Sequence, residues 1–130
     1  MSKVTLTSNT GTKLEFSDAS NEYFTVEFSS PSLTALHRVW MRAEEGERLI
    51  YLFEEMAENW TGWEGVKLWN AIEGDLNLSC TSDKLGHITI EVELVGRNSS
   101  QLWYVEFNVE IEAGQLERVA REIKLLFKGY

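Results

Sequence analysis

From His87 to Val95, and again from Leu102 to Glu112, apolar and polar residues alternate one for one. Ile88, Ile90, Val92 and Leu94 share one side of the first run, and Trp103, Val105, Phe107, Val109 and Ile111 share one side of the second. A period of two marks a strand with one buried face, because successive side chains point to opposite faces. A polar loop at 96–101 is all that separates the runs, so they read as antiparallel neighbours. Shorter alternations recur at Val4–Ser8, Lys13–Ser17, Tyr23–Ser29 and Leu76–Thr81. Turn chemistry stands between them at Asn9-Thr10-Gly11, Asp18–Asn21 and Ser82–Gly86. Leu33–Met41 fits either a strand or a helix by periodicity. A strand is expected there, because a helix begins just afterwards.

Two segments change period. Over Glu45–Asn59 the residues Leu49, Leu52, Phe53 and Met56, with Trp60 beyond, fall on one helical stripe. Glu44, Glu45 and Glu47 lie near its start, where the helix dipole favours carboxylates. Ala113–Lys128 carries a second stripe of Leu116, Val119, Ala120, Ile123 and Phe127. Strands thus cluster before the first helix and between the two. The expected architecture is α+β: an antiparallel sheet of about six to seven strands, covered on one face by two α-helices. A chain of 130 residues is expected to form a single domain, 1–130, with a core that needs no staples.

Asn59-Trp60-Thr61-Gly62-Trp63-Glu64-Gly65-Val66-Lys67-Leu68-Trp69 holds three of the five tryptophans. Each indole can bury roughly 150–250 Å². Left open together, three would match the largest apolar patch of a typical monomer, roughly 300–600 Å². The segment therefore reads as a core plug, with Trp60 pointing at the sheet and Gly62 and Gly65 turning the chain around Trp63. The alternative is a platform on which Trp63 and Trp69 hold a sugar or another small molecule.

Charge narrows the partners. The formal net charge is −9 and the pI about 4.7. Such a surface repels nucleic-acid phosphates and anionic lipid, so neither nucleic acid nor membrane is an expected partner. It attracts a basic protein or a cation. No run approaches the ~20 apolar residues of a membrane span. The start, MSKVTLTSNTG, lacks the apolar core of a signal peptide. Cys80 is the one cysteine, which suits a reducing cytoplasm.

On the face of the two long strands opposite their apolar side stand Glu91 and Glu93 on one and Glu106 and Glu110 on the other. Like charges across a strand pair are destabilising, so solvent, Lys13 from another strand or a basic partner must offset them. Glu54 and Glu58 add carboxylates on the first helix. Asp83 and His87 flank the Asp83-Lys84-Leu85-Gly86-His87 turn and are the candidates for a metal site, completed by a sheet glutamate, which would make the chain a metal-dependent hydrolase. The competing reading is an aspartate that ties down its own turn. With only His37 and His87 available, a site of several histidines within one chain is excluded. Cys80 shares a face with Leu76 and Leu78, where burial makes a thiol inert. No G-x-S-x-G, phosphate-loop, G-x-G-x-x-G or H-E-x-x-H motif is present, so no catalytic residue and no cofactor is assigned.

W-x-G-W-x-G over Trp60–Gly65, then Trp69, the D-x-x-G-H turn at Asp83–His87 and E-x-G-Q-L over Glu112–Leu116 resemble a small bacterial family, domain of unknown function 6228. That resemblance brings no catalytic residues with it. Its layout is similar to single-domain immunity proteins that neutralise toxins, which implies a protein-binding module rather than an enzyme. Such a module would dock a basic protein through the outer sheet face and the first helix; self-association as a homodimer is the other expected use of a surface.

Overall fold

The computed structural model describes residues 3–97 and 100–128. Four strands come first: β1 (Lys3–Thr7), β2 (Lys13–Ser17), β3 (Tyr23–Ser29) and β4 (Thr34–Trp40). Helix α1 (Ala43–Glu58) follows, then β5 (Lys67–Asn70), β6 (Leu76–Ser82), β7 (His87–Arg97) and β8 (Leu102–Glu112). A 3₁₀ turn over Ala113–Gln115 leads into α2 (Leu116–Lys128). The ambiguous Leu33–Met41 run is a strand. Of the expected loop at 96–101, Gly96 and Arg97 belong to β7, and residues 98–99 lie outside the described residues.

The α+β class and the antiparallel pairing hold, but the strand number and sheet number differ from expectation. There are eight strands in two four-stranded antiparallel sheets, ordered β1-β2-β3-β4 and β5-β6-β7-β8. The reason is geometric. Eight strands side by side span about 38 Å, whereas the 16-residue α1 is about 24 Å long and about 10 Å wide. Two helices of that size leave much of such a sheet bare. Instead, α1 interrupts the strand sequence after β4, and the inner faces of both sheets share one core with the helices.

Register keeps each inner row in phase. Val4, Phe16, Val26 and His37 line up across the first sheet, and Leu78, Val92 and Phe107 across the second. The sheets meet where Phe28 stacks on Phe107 with ring centroids 3.5 Å apart, and where Trp103 stands edge-on to His37. Gly96 lies directly opposite Trp103, and any side chain there would run into the indole. The helices pack on each other, α1 against β5 and α2 against β1.

Helix α1 begins as the acidic residues near its start suggest, but with more structure than a dipole effect. Glu45 Oε1 accepts the Arg42 backbone N–H at 2.8 Å, the reciprocal half of a capping box. The helix ends at Glu58, with the Asn59 side chain donating to the Glu55 carbonyl. Trp60 therefore lies past the last turn. The helical stripe stops applying there, and the indole is 60% exposed rather than pointing at the sheet. The other two indoles do pack inward. Trp69 is 3% exposed and donates from Nε1 to the Glu45 carbonyl at 2.9 Å. Trp63 is half-buried, with its Nε1 donating to the Cys80 carbonyl at 3.3 Å. Gly62 and Gly65 turn the chain around it with φ of +121° and +78°, angles that side-chain-bearing residues rarely adopt. Among the described residues no helix is long and apolar enough to cross a membrane.

Candidate functional site

The pleat sends every second residue of β7 and β8 to solvent. Glu91, Glu93, Glu106 and Glu110 all lie on that outer face, as their alternation requires. Glu93 stands directly opposite Glu106, Glu91 opposite Asn108, and Glu110 opposite Thr89. Like charges face each other at the first pair. Neither Lys13 nor any other cation among the described residues forms an ion pair with these four carboxylates. A neutral donor mediates instead. The Tyr104 hydroxyl lies 2.9 Å from Oε2 of Glu93 and 2.9 Å from Oε2 of Glu106. Its single proton serves one carboxylate at a time. Those two hydrogen bonds and the surrounding negative charge push the phenol well above its ordinary pKa of 10.0. Asn77 Nδ2 gives Glu93 a further, longer contact at 3.4 Å.

Glu54 and Glu58 sit on α1, with Glu58 exposed and Glu54 half-buried. Among the described residues no hydrogen bond or ion pair joins either of them to the sheet. Trp63 and Trp69 are separated in role as well. Lys67, whose Nζ is 2.6 Å from Glu55 Oε1, also lies over the Trp63 ring at 5.4 Å from its centroid. One face of Trp63 is thus occupied by a cation of the chain itself, and Trp69 is enclosed in the core. Cys80 is fully buried opposite Lys67 in the β5–β6 pair, and burial pushes its thiol up to about 12.

Asp83 and His87 do meet. Asp83 Oδ2 is 2.8 Å from His87 Nδ1, and Asp83 Oδ1 accepts the backbone N–H groups of Leu85 at 2.8 Å and His87 at 3.0 Å. The aspartate thereby ties down its own turn. These hydrogen bonds, led by the His87 backbone N–H, hold the Asp83 carboxyl below its ordinary value. The bond to Asp83, followed by the charges of Asp83, Glu112 and Glu110, raises His87. Glu112 Oε2 approaches His87 Nε2 at 3.7 Å. The pair faces a cavity of about 390 Å³ that Ser8, Thr10, Asn108 and Glu110 also line. Among the described residues no three His, Cys, Asp or Glu side chains are gathered to hold a metal ion.

Three features escape a reading of the sequence. Glu45 is 1% exposed and gathers Arg42 and Arg48, at 3.2 and 2.9 Å from Oε2. His37 Nε2 is 2.9 Å from Oδ2 of the buried Asp75, whose Oδ1 has no hydrogen-bond partner among the described residues. Trp60 and Leu85, the latter 80% exposed, flank a groove of about 640 Å³ at the end of the molecule. Only the first leaves a trace in the sequence: Arg42, Glu45 and Arg48 are spaced three apart, so one helical face carries all three.

The geometry thus presents an acidic sheet face and a charge-tied turn. No match to a curated protein or to a solved structure was found. Over residues 2–130 the chain matches the sequence model of the family of unknown function DUF6228, and it belongs to that family.

Proposed function

We propose that the chain is a single-domain binding module of the bacterial cytoplasm that captures a basic protein, in the manner of an immunity protein. The outer face of β7 and β8 is its docking surface. The observation that carries this reading is the set of Glu91, Glu93, Glu106 and Glu110 without an ion pair among the described residues, in which Glu93 and Glu106 share a tyrosine hydroxyl in place of a cation. A sheet face that served only for solubility would gain from interspersed lysines, because like charges across a strand pair cost stability. A cationic partner surface supplies the missing countercharge, and the field of the face speeds its approach more than it tightens the final complex. Glu54 and Glu58 on α1 contribute to the same negative field.

The test compares the protein with its Glu91→Gln, Glu93→Gln, Glu106→Gln variant as baits in extracts of the native host. The expected result is a basic protein held by the parent in a salt-dependent way and lost from the variant, with both baits equally folded by circular dichroism. The same proteins retained by both baits would overturn the reading.

A further inference from the structure

Four strands lie at sheet edges, and they are not equally protected. On β1, the Thr5 and Thr7 carbonyls accept hydrogen bonds from the Arg118 and Gln115 side chains of α2 and its entry turn, at 3.3 and 3.5 Å. β5 is four residues long, too short to template much pairing. β4 presents Arg38, and its inward-facing His37 is engaged with Asp75. β8 is different. It runs for 11 residues, and among the described residues its backbone pairs with β7 alone. Its inward side chains also record where cover ends: Val109 and Ile111 are buried, whereas Trp103, Val105 and Phe107 are only half-buried. On the other side of the same stretch Leu102 and Tyr104 are exposed. The first seven residues of β8 are therefore an open, half-apolar edge.

We infer that the basic partner is captured by strand addition: an extended segment alternating lysine or arginine with apolar residues pairs with the edge of β8 over residues 102–108. This rests on reading the acidic face as the docking surface, and it supplies the docking geometry. Main-chain hydrogen bonds along the edge give affinity, and alternate side chains give selectivity. On one side of the added strand, apolar residues complete the cover of Trp103, Val105 and Phe107. On the other, basic residues come beside Glu106, which already faces Glu93 and shares the Tyr104 hydroxyl with it. A second copy of this chain fits the edge less well, since it would bring its own Glu106 and Glu110 to the face that needs countercharge.

The probe is an eight-residue peptide alternating lysine and valine, blocked at both ends. Two further forms carry N-methyl groups on all lysines or on all valines, which removes the amide donors of one strand edge without changing charge. Binding is measured by calorimetry, and amide hydrogen exchange is followed along β8. The expected result is that the plain peptide binds and slows exchange within residues 102–108. One methylated form then loses affinity by about tenfold or more while the other keeps it. Glu106→Lys weakens the plain peptide by up to about tenfold, and a glutamate–valine peptide does not bind the parent protein. Equal binding of all three lysine peptides without slowed β8 amides would overturn strand addition. If the Glu91→Gln, Glu93→Gln, Glu106→Gln variant then lost all three, the acidic-face reading would stand alone. If that variant bound them as the parent does, that reading would fall too. No binding of the plain peptide, or a dimer in sedimentation whose formation protects the same amides, would also overturn the inference.

Discussion

The start of α1 and the outer face of β7 and β8 are both crowded with carboxylates, and the chain treats them in opposite ways. At the helix start Glu45 is buried, closes a capping box and receives two guanidinium groups. On the sheet, half-buried Glu93 and exposed Glu106 face each other on the outer side with a phenol between them. The formal charge of −9 is therefore not one property. Part of it is spent inside the fold, where it fixes where a helix begins. Another part stands without a countercharge on the outer face of β7 and β8, where a partner can reach it.

The largest expected effect lies at the helix start. Trp69 binds the helix start to the core through its hydrogen bond to the Glu45 carbonyl. Trp69→Ala is expected to cost about 3–5 kcal/mol in urea denaturation, the usual range for removing a buried aromatic side chain. Trp60→Ala, nine residues earlier on an exposed site, should shift stability by no more than about 0.5 kcal/mol. Equal losses at the two positions would mean that the helix start is not anchored as described.

Glu45 itself gives the next largest effect. The Arg42 hydrogen bond, with further help from the charges of Arg42 and Arg48, holds its carboxyl below the ordinary 4.5. A folded-state pKa below the unfolded one contributes stability that is present above 4.5 and lost as pH falls through the folded value. Glu45→Gln should therefore lower Tm near neutral pH and flatten its fall below pH 4.5. Glu91→Gln, which removes an exposed carboxylate with no ion pair among the described residues, serves as the control. Thermal melts of the three proteins across the acid range make the comparison directly; parallel acid limbs for parent and Glu45→Gln would refute it.

How much of this contrast the sequence reveals follows from what periodicity encodes. Strand alternation reports which face of β7 and β8 is wet, so Glu91, Glu93, Glu106 and Glu110 are placed correctly from sequence alone. Alternation does not report which strands share a sheet, because that depends on where α1 interrupts the chain; hence the single sheet expected and the two found. Helical periodicity assigns Leu49, Leu52, Phe53 and Met56 to the core but misplaces Trp60, because the stripe is indifferent to the helix ending at Glu58. Long-range polar pairs such as His37 with Asp75, 38 residues apart, leave no local pattern at all. The Asp83–His87 contact is legible because a turn of fixed length brings the two together.

That turn makes a smaller test, lying on the solvent side of the comparison but neutralised within itself. His87 is raised above its ordinary 6.5 and Asp83 lowered below its ordinary 3.8, each chiefly by hydrogen bonding to the other residue. The raised histidine contributes stability that is complete below 6.5 and is lost as pH climbs through the folded value. The lowered aspartate contributes above 3.8 and fails below it. The pair thus helps most between those two values. His87→Gln should destabilise the protein there and progressively less at alkaline pH, by urea midpoints taken across the range. A difference that stays constant with pH would show that the imidazolium charge is irrelevant to the turn.

The smallest effect is the sharpest test of the acidic face, because its sign separates two descriptions of the same geometry. If Glu93 and Glu106 are left in mutual repulsion for a partner to relieve, Glu106→Gln removes a like charge and Tm should rise, by under about 2 °C for a cross-strand pair in solvent. Tyr104→Phe should lower Tm slightly, because the phenol is the group that now bridges the two carboxylates. Combining the substitutions discriminates further. Without the hydroxyl the repulsion is less well compensated, so the gain from Glu106→Gln should be larger in the Tyr104→Phe background than in the parent. A Tm that falls on Glu106→Gln would mean that the carboxylate is anchored by Tyr104 as firmly as Glu45 is by its arginines. The two acidic regions would then be alike, and the sheet face would hold no charge in reserve for a partner.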